Sequence, residues 1–218
     1  MSIKDVLSMA LQRLIPSYKR NLEKAVALHG IIIEQRFAWL VKGLKDITVI
    51  DIGAFIGDTA IYFASFDNVR RVYAYEPYPS AYGQAKRNIA ISGLSEKISL
   101  SRTGIGAEDE TIRIKGKGDI GSEFKDAKDG KMSSSLSINT ILKGKTNVVI
   151  KSNSEGSEHK IFNSGANLKN VRRIHIAYHY GTGALPQILK SKGFKIEVRP
   201  EGRDPQKGDV GTIYAWKK

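Results

Sequence analysis

Apolar residues follow two patterns along this chain, and each pattern predicts a different element. Short runs rich in β-branched residues, of which Ile47–Ile52 is the clearest, are typical of strands that are buried on both faces. Other stretches repeat an apolar residue every three or four positions, which indicates amphipathic helices. The predicted strands are 47–52, 71–76, 97–101, 111–115, 147–150, 173–178, 194–198 and 211–216.

Helical patterns follow several of these strands. One of them begins at Asp58, and the others cover residues 80–91, 157–162 and 185–192. Ser80 is the predicted N-cap of its helix, and Gly93 ends it. Because strands alternate with helices, the sequence predicts an α/β fold.

The first 45 residues are predicted to form a helical extension, and residues 46–218 are predicted to form the single domain. A first helix over residues 3–15 ends at Pro16. A second runs from Leu22 to Leu44, with a break at Gly30 and an end near Gly43. The extension could cap the sheet, pair with another chain, or lie on a membrane with its basic residues facing lipid phosphates.

Residues 116–135 are rich in Gly, Lys, Asp and Ser and predict a long loop, either a lid or a disordered segment. Near the C-terminal side, a polar and basic loop with Pro200, Pro205 and Gly208 joins the last two strands. These two strands are expected to form an antiparallel pair.

The first strand leads into a glycine-rich loop, where Gly53 and Gly57 let the backbone approach a ligand closely. Its pattern, D-x-G-x-x-x-G, differs from the G-x-G-x-x-G of dinucleotide sites, and the carboxylate of Asp51 would repel a pyrophosphate. A second acid, Glu76, ends the next strand nineteen residues after Gly57. An acid at that place is suited to bind the hydroxyls of a ribose.

At these residues the sequence resembles the class I S-adenosylmethionine-dependent methyltransferases, and within them the FkbM family. The family's acidic glycine loop, its Y-x-x-E-P-x-P turn and its K-R-N-I helix with an S-G-L exit match residues 51–59, 73–81 and 86–94. The resemblance implies a Rossmann-like, seven-stranded mixed sheet in the order 3-2-1-4-5-7-6, with helices on both faces. It also implies a binding site for S-adenosyl-L-methionine formed by Asp51, Gly53, Ala54, Phe55, Gly57, Asp58, Thr59, Glu76, Pro77 and Thr103.

The family's K-x-D-x-E-G-x-E signature stands here at residues 151–158, with Asn153 in place of the aspartate. A later E-x-H of the family has Ala177 in place of the acid and keeps His179. The candidate catalytic residues are Asn153, Glu155 and His179. His179 is the first candidate for a general base and Glu155 is the second. Glu155 could instead be an acid that is favoured near the N-terminus of the following helix by the helix dipole. Asn153 can orient a ligand without charge.

Composition widens the choice of partners. Lys and Arg outnumber Asp and Glu by 35 to 22, which gives a net charge of +13. Such a charge favours binding to RNA or to an anionic membrane surface. It could instead serve only to keep the protein soluble. The chain has no cysteine, so thiolate chemistry is excluded. A metal site at His175 and His179 is not expected. No apolar run is long enough to span a membrane, and no signal peptide is evident, so we expect a cytoplasmic protein.

These features favour two functions and argue against a third. The first is a methyltransferase that acts on an oxygen of a small-molecule or polyanionic acceptor, with a sugar or lipid-linked hydroxyl implied by the resemblance and RNA by the charge. The second is a non-catalytic adenosyl- or RNA-binding module, suggested by Asn153 and Ala177. The third, a nicotinamide dehydrogenase, lacks the required glycine spacing. The oligomeric state is left open.

Overall fold

The computed structural model describes residues 19–114, 131–163 and 165–217, which form six α-helices and ten strands. The helices are α1 Lys19–Val41, α2 Asp58–Ala64, α3 Pro79–Ser92, α4 Ile138–Leu142, α5 Glu158–Ile161 and α6 Leu185–Ser191. The strands are β1 Ile47–Ile52, β2 Val69–Tyr75, β3 Ile98–Ser101, β4 Thr103–Gly106, β5 Glu110–Ile114, β6 Lys131–Ser137, β7 Val148–Ser152, β8 Val171–Tyr178, β9 Lys195–Asp204 and β10 Gly208–Trp216. The predicted helix over residues 3–15 lies outside the described residues.

Seven strands form one mixed sheet in the order β3-β2-β1-β7-β8-β10-β9. The first five of these are parallel, and β10 is antiparallel to both of its neighbours. When the seven strands are numbered along the chain, this is the predicted order 3-2-1-4-5-7-6. The α/β prediction and the strand order are confirmed.

Helices cover both faces of this sheet, and each face has its own core. Alternate residues of β1 point to opposite sides, so that Val49 packs with α1, α2 and α3 whereas Ile50 packs with α4, α5 and α6. Both residues are fully buried. The parallel strands therefore read as continuous apolar runs, which is why the sequence shows them clearly.

A second sheet of three strands has the order β4-β6-β5. It corrects the predicted loop over residues 116–135, because β6 begins at Lys131; residues 116–130 lie outside the described part of the chain. The serines of β6 gave no apolar signal. They form a strand because β6 pairs with β4 on one side and β5 on the other.

Helix α1 passes through Gly30 without a break, so the predicted interruption is wrong. A glycine inside a helix costs about 1 kcal/mol relative to alanine. Burial of Ile33, Phe37 and Leu40 against the sheet outweighs that cost. The predicted end near Gly43 is confirmed, since Gly43 has a left-handed φ of 74° two residues after α1.

Two further boundaries differ from the prediction. The N-cap of α3 is Tyr78, with Pro79 in the first turn, rather than Ser80. Strand β9 continues through Pro200 to Asp204, where a loop was predicted. Proline is tolerated there because β9 is the edge strand, so its missing N–H removes no hydrogen bond from the sheet interior.

Candidate cofactor and acceptor site

The glycine loop after β1 is bent by left-handed residues and held to β2 by its backbone. The N–H groups of Gly53 and Ala54 both donate to the Tyr75 carbonyl at 3.0 Å. Gly53 has a φ of 73° and Phe55 a φ of 47°, and Gly57, with a φ of 84°, is the N-cap of α2. Glycine adopts such angles without the steric penalty of a Cβ atom.

The loops that follow β1 and β7 touch each other at the carboxyl edge of the sheet. Asn153 donates its N–H to the Ile52 carbonyl at 3.0 Å. A Cβ atom on Gly53 would stand 1.9 Å from the Asn153 carbonyl oxygen, so no other residue fits there. Both loops therefore lie on the same edge of the sheet, where ligands bind in folds of this kind.

Asp51 lies beneath the glycine loop and is fully buried. Its Oδ2 accepts a hydrogen bond of 2.6 Å from the Thr59 hydroxyl, and its Oδ1 lies 2.9 Å from the Lys151 ammonium. The same ammonium donates a hydrogen bond to the Gly53 carbonyl at 2.7 Å, and its contact with Oδ1 is an ion pair. Asp51 and Thr59 thus support the loop from below, and their direct contact with the cofactor stays a prediction.

Glu76 closes the other side of the loop. Its Oε2 accepts from the Phe55 N–H at 2.9 Å and its Oε1 from the Tyr78 N–H at 3.0 Å. Burial raises the pKa of Glu76 to about 7, although both hydrogen bonds and the charge of Lys151 act against the rise. Each oxygen keeps a lone pair for a ribose hydroxyl.

The remaining predicted cofactor residues lie in the segments that follow β1, β2 and β3. Ala54 and Pro77 are buried, and Asp58 accepts a hydrogen bond of 2.8 Å from the Thr59 N–H at the start of α2. Thr103 starts β4, where its hydroxyl bonds to the hydroxyls of Ser101 and Ser134 at 3.0 and 2.9 Å. Thr103 therefore joins the two sheets.

A buried carboxylate that the sequence did not single out organises the loop after β7. Glu158 accepts hydrogen bonds from the N–H and hydroxyl of Ser154 and from the N–H of Gly156, at 2.9 to 3.0 Å. Glu155, between them, has a left-handed φ of 53°. Such a conformation is unfavourable for a residue with a side chain and is retained here because its neighbours are fixed.

His179 lies between two carboxylates. Its Nδ1 is 3.3 Å from Glu158 Oε1, and its Nε2 is 3.4 Å from Glu155 Oε2. Burial lowers the pKa of His179, but the hydrogen bond and charge of Glu158, together with Glu155, outweigh burial and raise the pKa overall. A protonated histidine cannot accept a proton, so a raised pKa of His179 favours Glu155 over His179 as the general base.

The tip of the β9–β10 hairpin completes this cluster. The Lys207 ammonium donates to Glu155 Oε2, and the Lys207 carbonyl accepts the Tyr180 N–H at 2.7 Å. Lys207 is 52 positions from Glu155 in the sequence. Lys207 lies in a polar loop without a motif. Its position beside Glu155 follows from the pairing of β10 with β8, which the sequence pattern does not show.

The two positions that depart from the family signature are both near this cluster. Among the described residues, the Asn153 carboxamide has no hydrogen-bond partner, and it is partly exposed. Ala177 pairs with Thr212 of β10. His175 lies in β8, which ends before His179, and is buried between Phe37 and Tyr214, with ring centroids 4.7 and 5.3 Å away. No group of three or more His, Asp or Glu side chains in the described ranges is arranged for a metal ion.

This architecture, with β10 inserted antiparallel beside five parallel strands and the glycine loop at the end of β1, is that of the class I methyltransferases. The chain belongs to the FkbM methyltransferase family, because the model of the FkbM methyltransferase domain matches residues 51–196. It is therefore an S-adenosyl-L-methionine-dependent methyltransferase. Lys207 and β10 lie beyond the matched residues.

Solved structures agree with this fold. Precorrin-6y C5,15-methyltransferase from Geobacter metallireducens GS-15 is 17% identical, with a TM-score of 0.52 over 87% of this chain and 88% of that one. TrmK of M. capricolum, determined with S-adenosyl-homocysteine, is 15% identical, with a TM-score of 0.52 over 84% of this chain and 68% of that one. At such identities the likeness concerns the fold alone. No curated protein matches the sequence.

The glycine loop, bent by the positive φ of Gly53 and Gly57, and the buried acid Glu76 fit S-adenosyl-L-methionine. The roles of the individual site residues stay predictions, as do the cytoplasmic location and the division at residue 46. No helix in the part of the chain described by the structure is long and apolar enough to cross a membrane.

Proposed function

We propose that this methyltransferase acts on a hydroxyl oxygen, and that the acceptor binds beside the loop 153–158. The observation that supports this most is the cluster of Glu155, His179 and Lys207 next to the Asn153 loop, which itself touches the cofactor loop at Gly53. A hydroxyl is a poor nucleophile until its proton is removed, so a carboxylate beside the acceptor favours transfer to oxygen.

Bound S-adenosyl-L-methionine supplies an electrophilic methyl group on its sulfonium sulfur. The glycine loop and Glu76 hold the cofactor, and the loop 153–158 aligns the acceptor oxygen with that methyl group. Alignment of this kind provides most of the acceleration of an in-line displacement. When the acceptor oxygen displaces the sulfur from the methyl group and leaves S-adenosyl-homocysteine, the acceptor proton would pass to the Glu155 carboxylate, whose orientation His179 and Lys207 fix.

Release of labelled methyl from S-adenosyl-L-methionine across a panel of glycosides, lipid extracts and RNA tests this proposal. We expect turnover on a hydroxyl-bearing acceptor and a loss of more than about tenfold in Glu155→Gln, since a positioned base contributes roughly 10²- to 10⁴-fold. Glu197→Gln, on the exposed edge strand β9, is the matched control and should leave turnover unchanged. Equal turnover in both variants would contradict the role of Glu155.

A non-catalytic adenosyl- or RNA-binding module is the second candidate, supported by Asn153 and Ala177 at the two positions of departure. Under this alternative the protein binds S-adenosyl-L-methionine but transfers nothing to any acceptor. An RNA acceptor, suggested by the charge of +13, would bind with an affinity that falls steeply between about 50 and 200 mM salt. A glycoside acceptor would bind almost independently of salt.

The helical extension offers one more proposal. We propose that the part of this extension that forms α1 caps the sheet rather than binds a membrane, because Ile33, Phe37 and Leu40 are already buried against the sheet. Binding to anionic vesicles that depends on Lys19, Arg20 and Lys24 would favour the membrane alternative.

A further inference from the structure

Tyr180 is a large side chain that is 48% exposed at the rim of the candidate acceptor site. It follows His179 directly, and its ring edge lies against Gly156: a Cβ atom on Gly156 would stand 2.8 Å from Tyr180 Cε2. The ring therefore stands beside Glu155, the proposed proton acceptor.

The backbone conformation of Tyr180 is an unusual one for an aromatic residue. Tyr180 has a φ of 61°, in the left-handed region, and its N–H donates to the Lys207 carbonyl at 2.7 Å. That backbone contact requires no side chain, and glycine would make it without the penalty of a Cβ atom. The contact with the hairpin therefore depends on the backbone of Tyr180.

The ring is nevertheless held in a fixed place. Gly156, whose own φ is 110°, leaves room for the Cε2 edge, and the hairpin tip fixes the backbone on the other side. The exposure of Tyr180 shows that part of its surface is open to solvent. An aromatic surface fixed before binding loses little conformational entropy when a ligand stacks on it.

The charges beside Tyr180 compensate one another. Glu155 and Glu158 are two carboxylates that face the Lys207 ammonium and the His179 ring, so positive charges do not outnumber negative ones whether or not His179 is protonated. The described side chains at this place therefore present no surplus cation that a phosphate would need, while the Tyr180 ring presents an apolar surface.

We propose that Tyr180 is the acceptor-positioning residue: it stacks on a neutral ring of the acceptor and thereby brings a hydroxyl of that ring to Glu155. This inference rests on the proposed function and narrows the acceptor to a neutral, hydroxyl-bearing ring compound. Such a ring can come from a glycoside, through its C–H face, or from an aromatic alcohol.

Saturation-transfer NMR of the full chain loaded with S-adenosyl-homocysteine tests the proposal. The probes are methyl glycosides in one arm and simple phenols in the other, with glycerol as an acyclic control and inorganic phosphate as a charged one. We expect ring compounds of one arm to bind and glycerol and phosphate not to bind. Tyr180→Phe should keep this binding, and Tyr180→Leu should weaken it about three- to tenfold.

Tyr180→Gly provides the decisive variant. Because glycine suits a φ of 61°, the variant should be at least as stable as the natural protein and should bind S-adenosyl-homocysteine equally well, yet lose the ring probes. Failure of the natural protein to bind S-adenosyl-homocysteine would count against the proposed function itself. Intact binding of S-adenosyl-homocysteine with no ring probe bound, or with probes bound equally by Tyr180→Gly, would overturn only the role of Tyr180.

Discussion

Lys151 and Asp51 lie opposite each other on the parallel strands β7 and β1 and form an ion pair of 2.9 Å, with side chains that are 6% and 0% exposed. The same ammonium binds the Gly53 carbonyl at 2.7 Å. One buried cation therefore joins the two central strands to the turn of the cofactor loop.

Lys151→Met should destabilise the protein by about 3–5 kcal/mol, because it leaves the Asp51 carboxylate buried without a counter-charge. The double variant Lys151→Met with Asp51→Asn should recover much of that loss, since no uncompensated charge remains. Urea unfolding of the four proteins in this cycle measures the coupling. A single variant within 1 kcal/mol of the natural protein would contradict the importance of the pair.

Binding of S-adenosyl-L-methionine should weaken as the pH falls through about 7. Burial raises the pKa of Glu76 to about 7, and the protonated acid is a poorer acceptor for ribose hydroxyls than the carboxylate is. The charged form therefore dominates above this pH and is lost below it. Calorimetry between pH 5.5 and 8.5 measures the effect.

Glu76→Gln is the control for that titration. It should weaken binding by about 10- to 150-fold at pH 8, the range expected when a hydrogen bond to a charged group is lost. It should also remove the pH dependence near 7. If the dependence persists in a folded Glu76→Gln protein, another group is responsible.

His179 should keep its proton above the ordinary pKa of a histidine, and Glu158→Gln should lower that pKa. Burial opposes the charged form, but the hydrogen bond and charge of Glu158 exceed it. With a pKa raised in the folded state, the contribution of His179 to stability is complete below the unfolded pKa of about 6.5 and is lost as the pH rises through the folded value.

Histidine NMR of the folded protein measures this titration. His175 serves as the internal reference, because burial lowers its pKa to about 3 and it stays neutral across the same range. An unchanged His179 titration in Glu158→Gln would show that the two groups are not coupled.

Asn153→Asp should lower turnover on the natural acceptor. The Asn153 loop lies against Gly53, and no cation among the described residues pairs with its side chain, so a carboxylate there would add an uncompensated charge near the reacting atoms. Methyl release under saturating cofactor measures the change. Higher turnover would instead indicate that the family aspartate acts through its charge and that Asn153 is a weakened site.

The sequence predicted the parts of this fold that carry strong local patterns. Continuous apolar runs such as Ile47–Ile52 mark the parallel strands, and glycines at positive φ mark the turns. Strand β6 was missed because its serines are not apolar, and its strand conformation depends on partners distant in the sequence. The passage of α1 through Gly30 is likewise decided by burial, which a local pattern does not contain.

The candidate site was predictable only in part, for a similar reason. The residues that matched family motifs, among them Asp51, Glu76 and Glu155, do meet at one edge of the sheet. Glu158 stood within a motif, but its function as the anchor of its own loop appears only in the hydrogen bonds to Ser154 and Gly156. Lys207 and Tyr180 had no signal, because their neighbours are set by the hairpin.

Strand β10 also determines when the molecule can finish folding. It separates β8 from β9, and its Tyr214 packs against Trp39 of α1 with ring centroids 5.3 Å apart. Until Gly208–Trp216 has left the ribosome, β8 of the nascent chain has an unpaired edge. Over the same period Trp39 of α1 lacks its contact with Tyr214. Such late, long-range pairing slows folding and leaves an edge to which other strands can bind, so we expect the growing chain to need protection there.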